Sequence, residues 1–346
     1  MVGAAGTGPD TMTTDETPRP SSRPVVDGAV SPRTALVEHR APLVASAGGE
    51  GPLVSILSPV RDEHAHLRSM LDSVLAQDHA HFELLLVDDG STDDTADIVA
   101  EYAARDSRVR LVASGTAMGK VAAFDTAYAA SSGEVVCHVG GDDTVPANAL
   151  TSRVEALRPY LDRPAVAFFK LELFEETPGN SPTVVPRGRR GSMSGPSITM
   201  TRPLAERVMP IPGHLVSEDI WMGNAADALA EVRVDSGDVV VHYRRHAGNS
   251  NPRNKPFTAM DEALHARFAA LDALLATDRF DLPDDVRRRL AAEVEAERLR
   301  HEGRTGAVLT SDLPLVDRLA VASMSHPVLW RARARFLTPL TGWRGR

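Results

Sequence analysis

The chain has one cysteine, Cys137, among 346 residues. That excludes an internal disulfide framework and a multi-cysteine zinc site, and it suits a reducing cytoplasm. The apolar neighbours Val135, Val136 and Val139 mark Cys137 as a core residue. Surplus positive charge is missing too. The formal net charge is -9, which argues against a general nucleic-acid binder, because neutralising phosphates requires an excess of Lys and Arg on some face. No window reaches the roughly 18 uncharged apolar residues of a membrane span, and the opening residues lack the basic start and apolar block of a secretory signal. These absences predict a cytoplasmic protein. Residues 1–50, rich in Gly, Pro, Ser and Thr, have too little apolar surface to offset the entropy of ordering and are expected to form a disordered tail.

What is present is enough for a sizeable core: 42% of residues are hydrophobic and 25% charged, as in one large or two modest domains. The run Leu84–Val87 reads as a strand covered on both faces. It ends abruptly on Asp88-Asp89-Gly90-Ser91-Thr92-Asp93. Strands are also expected at Leu53–Ser58, Val109–Val112, Glu134–Val139, Ala165–Leu173, Ser197–Met200 and Val239–Tyr243. Between them lie helical patterns, such as Leu67, Met70, Leu71, Val74 and Leu75. Alternation of this kind predicts βαβ units and a mostly parallel sheet, where ligands bind beyond the carboxyl ends of the strands. Two strands end on paired carboxylates, Asp88-Asp89 and Asp142-Asp143, and neighbouring parallel strands would bring both pairs to one edge. Capping alone also accounts for such acids, since Ser91 or Thr92 suits a helix start. The Pro/Gly/Arg-rich connection from Thr177 to Gly195 is long enough to be functional.

Taken in order, Ser58-Pro59, Ser73 to Gln77, Phe82-Glu83, Val87 to Asp93, Gly119-Lys120, Gly133-Glu134, Asp142-Asp143, Glu218-Asp219 and Tyr243 to His246 resemble a family 2 glycosyltransferase. The resemblance implies the nucleotide-sugar fold called GT-A: an α/β structure with a mostly parallel central sheet flanked by helices, here with a helical C-terminal extension. It implies a domain over 51–255, with a nucleotide-binding half at 51–150 and an acceptor half at 151–255, followed by the extension at 256–346. The expected reaction is inverting transfer of a sugar from a nucleoside diphosphate sugar, UDP-linked by preference, to a hydroxyl acceptor.

The same resemblance distributes roles. Asp89 maps to the acid that contacts the nucleobase. Pro59, Arg61 and Glu63 fall in the loop bordering base and ribose, and Gly119 and Lys120 on the phosphate or sugar. Asp142 and Asp143 match the element that holds Mg²⁺ or Mn²⁺ on the diphosphate, Asp143 first, with His246 or alternatively His242 nearby. Hard oxygen ligands suit those ions. Gly140 stands where the fuller Asp-x-Asp pattern has an acid. Asp219 maps to the general base that deprotonates the acceptor hydroxyl, whereas the macrodipole alone would also favour an acidic first turn there. An alternative is a catalytically weak scaffold that binds nucleotide-sugar, motivated by Gly140. A nucleotidyltransferase would need a Gly-rich basic loop after the first strand, and Pro59 to His64 is acidic instead. Gly115 to Val121 is not a phosphate-binding P-loop, because its glycines are too close and Val121 replaces Ser or Thr. The basic end, with Trp330, Phe336 and Trp343 among arginines, suits either a peripheral contact with an anionic membrane or a packing helix.

Overall fold

In the computed structural model, the described residues are 51–175, 181–246 and 256–336. The expected tail at 1–50 lies outside them. β1 (Val54–Val60) and β2 (Phe82–Asp88) are almost wholly buried, as the continuous apolar runs require. With β3 (Val109–Ala113) and β4 (Val135–His138) they form a parallel half-sheet in the order β3-β2-β1-β4. β5 (Ala165–Glu175) and β7 (Ile198–Thr201) are antiparallel to each other, and β7 is antiparallel to β4, so the sheet extends past its parallel half. β6 (Thr183–Val185) lies inside the Thr177–Gly195 connection and pairs with β5. β8 (Val232–Arg245) runs parallel along the other edge of β5. It begins well before the expected Val239, because the pairing passes Ser236-Gly237 by shifting register near Lys170.

Period-two alternation sorts the strand side chains into two cores. Ile56, Leu84, Leu86 and Cys137 face one side, against α1 (Leu67–Leu75), α2 (Thr95–Arg105) and α4 (Ala149–Leu157). The register of α1 follows from Leu67, Met70, Leu71 and Val74, all buried at helical spacing. Leu57, Leu85 and Val87 face the other side, against α3 (Lys120–Ala129), α5 (Arg202–Val208) and α6 (Glu218–Leu229). The helices after β8 join this second core: α7 (Phe257–Ala276) inserts Ala270, Leu271 and Leu274, and α8 (Asp284–His301) inserts Leu290. They therefore pack on α6 and the sheet rather than standing apart. α9 (Thr305–Leu309), α10 (Leu315–Ala322) and α11 (Pro327–Phe336) complete the described chain. No helix among the described residues is long and apolar enough to cross a membrane.

Candidate active site

The carboxyl ends of β1, β2 and β4 open onto a cavity of about 570 Å³, closed on the far side by α6, α7 and α8. Of the residues singled out from sequence, Pro59, Arg61, Glu63, Asp89, Gly119, Lys120, Asp142, Asp143, Asp219 and His246 all line it. His242 does not. Its backbone pairs with Thr144, and its ring lies 3.9 Å from Glu172, so His246 is the histidine brought to the acids.

At the end of β2 the two acids have different partners. Asp88 is buried and accepts hydrogen bonds from Ser91 N at 3.1 Å and Ser114 Oγ at 2.8 Å. Burial pushes its carboxyl up, but these bonds outweigh it and hold Asp88 below the usual range. Asp89 Oδ1 accepts from Met118 N at 2.6 Å and Gly119 N at 2.9 Å. The residue expected to read the base thus also ties the start of α3 to β2. Gly90 between these elements has φ +72, and a Cβ there would come within 2.7 Å of Ala117 N, so the close approach needs glycine.

The loop after β4 gathers the second acidic group. Asp143 is 1% exposed and accepts from the Arg244 N–H at 3.0 Å. Burial and the neighbouring Asp142 push its pKa well up. Asp142 is the more open of the two, with Oδ2 3.0 Å from His246 Nε2. Glu63, across from them, is pushed up to about 7 by burial and then by Asp142, Asp93 and Asp62. Gly140 explains its own departure from the acidic pattern: a Cβ there would lie 2.9 Å from Asp142 Oδ1 and 3.1 Å from Asp143 Oδ2. A side chain at 140 would crowd both carboxylates and make them shift by a few tenths of an ångström.

Opposite, the first turn of α6 presents Glu218 and Asp219. Glu218 Oε1 pairs with Lys120 Nζ at 2.7 Å. Asp219 Oδ1 accepts from Ser217 Oγ, and its Oδ2 pairs with Arg267 Nη2 at 2.6 Å. Desolvation pushes the Asp219 carboxyl up, but Arg267 and Lys120 more than offset it and leave it below the usual range. Arg267 went unnoticed in the sequence, as did Arg289 and Glu293 of α8, which also line the cavity. The available signal was a single arginine inside the helical stripe Leu264, Phe268 and Leu271, which lines the cavity with it.

Residues 55–170 match the family model described as Glycosyl transferase family 2. Over 104 residues the chain is 33% identical to a putative teichuronic acid biosynthesis glycosyltransferase, TuaG, of Bacillus subtilis, a stretch covering 30% of this chain and 41% of that protein. The matched stretches span less than half the length of the curated relatives. Among solved structures, the mannosyltransferase PcManGT of Pyrobaculum calidifontis, in complex with GDP-Man and Mn²⁺, shares the fold. Its TM-score is 0.55 at 19% identity, over 90% of this chain and 86% of that one. TarS 1–349 of S. aureus in complex with UDP-GlcNAc does so too, with a TM-score of 0.53 at 18% identity over 81% and 83%.

Proposed function

We propose that this chain, whose residues 55–170 match the family model described as Glycosyl transferase family 2, moves a sugar from a nucleoside diphosphate sugar, UDP-linked by preference, to a hydroxyl acceptor with inversion. One observation carries the reading: acids from β2, β4 and α6 line a single cavity with Lys120 and Arg267. A donor in this cavity has its base by Asp89 and the Pro59–Glu63 loop, and its diphosphate by Asp142, Asp143 and Lys120. The acceptor enters from the α6–α8 side, where Asp219 takes the proton of its hydroxyl as that oxygen attacks the anomeric carbon. Glu218 Oε2, buried and without a hydrogen-bond partner among the described residues, accepts a hydrogen bond from the same hydroxyl and orients it. Arg267 keeps Asp219 ionised between turnovers. The halves 51–150 and 151–255 then serve donor and acceptor, and α7 and α8 of the extension that begins at 256 close the acceptor side. Lipid, polysaccharide and natural-product assembly all use such a transfer.

The residues fit a hard divalent cation such as Mg²⁺ or Mn²⁺. Burial, and then the crowding of negative charge among Glu63, Asp142 and Asp143, raises two of the three carboxyls, and carboxylate oxygens are the donors such ions prefer. Among the described residues no group of three or more ligands is arranged to hold a metal, so two side chains, Asp142 and Asp143, would hold it with phosphate oxygens and water completing its shell, and His246, 3.0 Å from Asp142, stands beside them. When bound, it supplies charge neutralisation for the departing diphosphate. The test is nucleoside diphosphate release from a panel of UDP- and GDP-sugars with and without Mn²⁺. Metal-stimulated release from at least one donor is expected; donor binding with no release under any metal would favour the scaffold reading.

The C-terminal helices support a peripheral contact with an anionic membrane. Leu315, Val316 and Leu319 of α10 and Val328 and Leu329 of α11 are exposed, and Arg331 is exposed beside them. Apolar side chains edged with arginine suit an anionic bilayer surface. Full-length protein should sediment with phosphatidylglycerol vesicles, and Leu319→Glu should reduce this; equal sedimentation with neutral vesicles counts against the contact.

A further inference from the structure

A buried polar atom without a partner is rare in a folded protein and asks for an explanation such as an absent ligand. Among the described residues four side-chain atoms are in this state: Ser58 Oγ, Glu218 Oε2, and Nε and Nη2 of Arg289. Three of them belong to residues lining the donor–acceptor cavity. Nε and Nη2 share one edge of the guanidinium, the edge that takes a carboxylate or phosphate through two parallel hydrogen bonds. The rest of the fork is anchored. Arg289 Nη1 lies 2.9 Å from Asp227 Oδ2, and Asp227, whose side chain is 8% exposed, is held on its other oxygen by Arg233. Fixed on one side and unmatched on the other, the fork is set for its partner in advance.

We propose that this edge of Arg289 seats an anionic group, phosphate or carboxylate, carried by the acceptor; the inference rests on the transferase reading of the same cavity. A guanidinium only donates hydrogen bonds, so an acceptor completes this edge; the side chain is 38% exposed as a whole while the two N–H groups are buried, and an anion with two oxygens matches both at once. The cavity's other cations on this side are committed, Lys120 to Glu218 and Arg267 to Asp219. Glu293, also on α8, has an interaction of its own and is a carboxylate that an anion must avoid. Along α6, Asp227 lies about 12 Å from Asp219 at 1.5 Å per residue. The anchor of Arg289 thus stands some two helical turns along α6 from Asp219, on the α6–α8 side given to the acceptor rather than beside Asp142 and Asp143.

The test is calorimetry on the full-length protein saturated with UDP and Mn²⁺. The titrants are glycerol 1-phosphate and glucuronate, with glycerol and glucose as neutral controls. At least one anion should bind where its neutral control does not. Arg289→Gln should weaken that binding about 10- to 100-fold, with Arg289→Lys, which keeps the charge but loses the fork, in between. The better-bound anion distinguishes phosphate from carboxylate. Equal binding of anion and control, no detectable binding of either anion, or unchanged affinity in Arg289→Gln overturns the inference. UDP affinity reports whether each variant has folded, and if a variant has not, the wild-type contrast between anion and control still decides. If the wild-type protein binds neither UDP nor GDP, the transferase reading falls, and the same titration without nucleotide still tests the Arg289 edge.

Discussion

On the N-terminal side of the cavity, carboxylates stand at the ends of β2 and β4, and two of them are held by main-chain N–H groups: Asp89 by Met118 and Gly119, Asp143 by Arg244. On the C-terminal side, charged groups reach in from α6, α7 and α8 and are held by other side chains: Asp219 by Arg267, Arg289 by Asp227. The first wall owes its geometry to backbone turns that tolerate little change, as Gly90 shows. The second depends on pairings between helices and can be altered one side chain at a time. A donor common to many reactions suits the first kind of wall, and an acceptor that varies suits the second.

The largest effect should come where the two walls meet. Asp219→Asn should lower kcat by about 10²–10⁴-fold, the usual worth of a general base, and steady-state nucleoside diphosphate release measures it; full activity would remove Asp219 from the reaction. On the strand side, Asp142→Ala should weaken Mn²⁺ binding by at least about 100-fold, since loss of even an outer-shell partner costs up to that much. Calorimetry with Mn²⁺ reads it, and unchanged affinity would place the metal elsewhere.

His138, at the end of β4, tests the rigidity of the strand wall through stability. Burial, and then Lys120 and Arg153, push its pKa down to about 3. The folded state therefore keeps it neutral while the unfolded chain takes up a proton below about 6.5. Its contribution is present above that pH and is lost as pH falls, so wild type should lose ~2 kcal/mol more than His138→Gln between pH 6.5 and 5. Parallel denaturant curves at the two pH values check this, and equal losses would contradict it. The smallest effect concerns the helix wall: without Arg267 the Asp219 carboxyl should rise toward its usual range, so Arg267→Ala should move the acidic limb of kcat/KM to higher pH. An unmoved limb would mean that the pair does not tune the base.

This contrast also explains what was legible beforehand. The parallel half of the sheet could be read because each strand is a short apolar run that stops on Gly, Asp or Ser, so Leu84–Val87 and Asp88-Asp89 announce both an element and a ligand edge. β8 was half hidden because Val232 to Asp238 alternates with charged residues around Ser236-Gly237 and pairs with β5 across a register shift. Arg267 and Arg289 were invisible for a different reason. A helical arginine has no local signature, and only the packing of α7 and α8 on α6 reveals which way it points. Likewise Gly140 looked only like a missing ligand, whereas its distances to Asp142 and Asp143 show that a side chain there would press on both carboxylates.

The division into a donor wall and an acceptor wall is most directly tested by a crystal structure of the full chain with UDP and Mn²⁺. The account predicts uracil beside Asp89 and the Pro59–Glu63 loop, the diphosphate and metal at Asp142, and the space before Arg267 and Arg289 left for another molecule. Density for the nucleotide against α7 and α8, with the β2 and β4 loops empty, would contradict it.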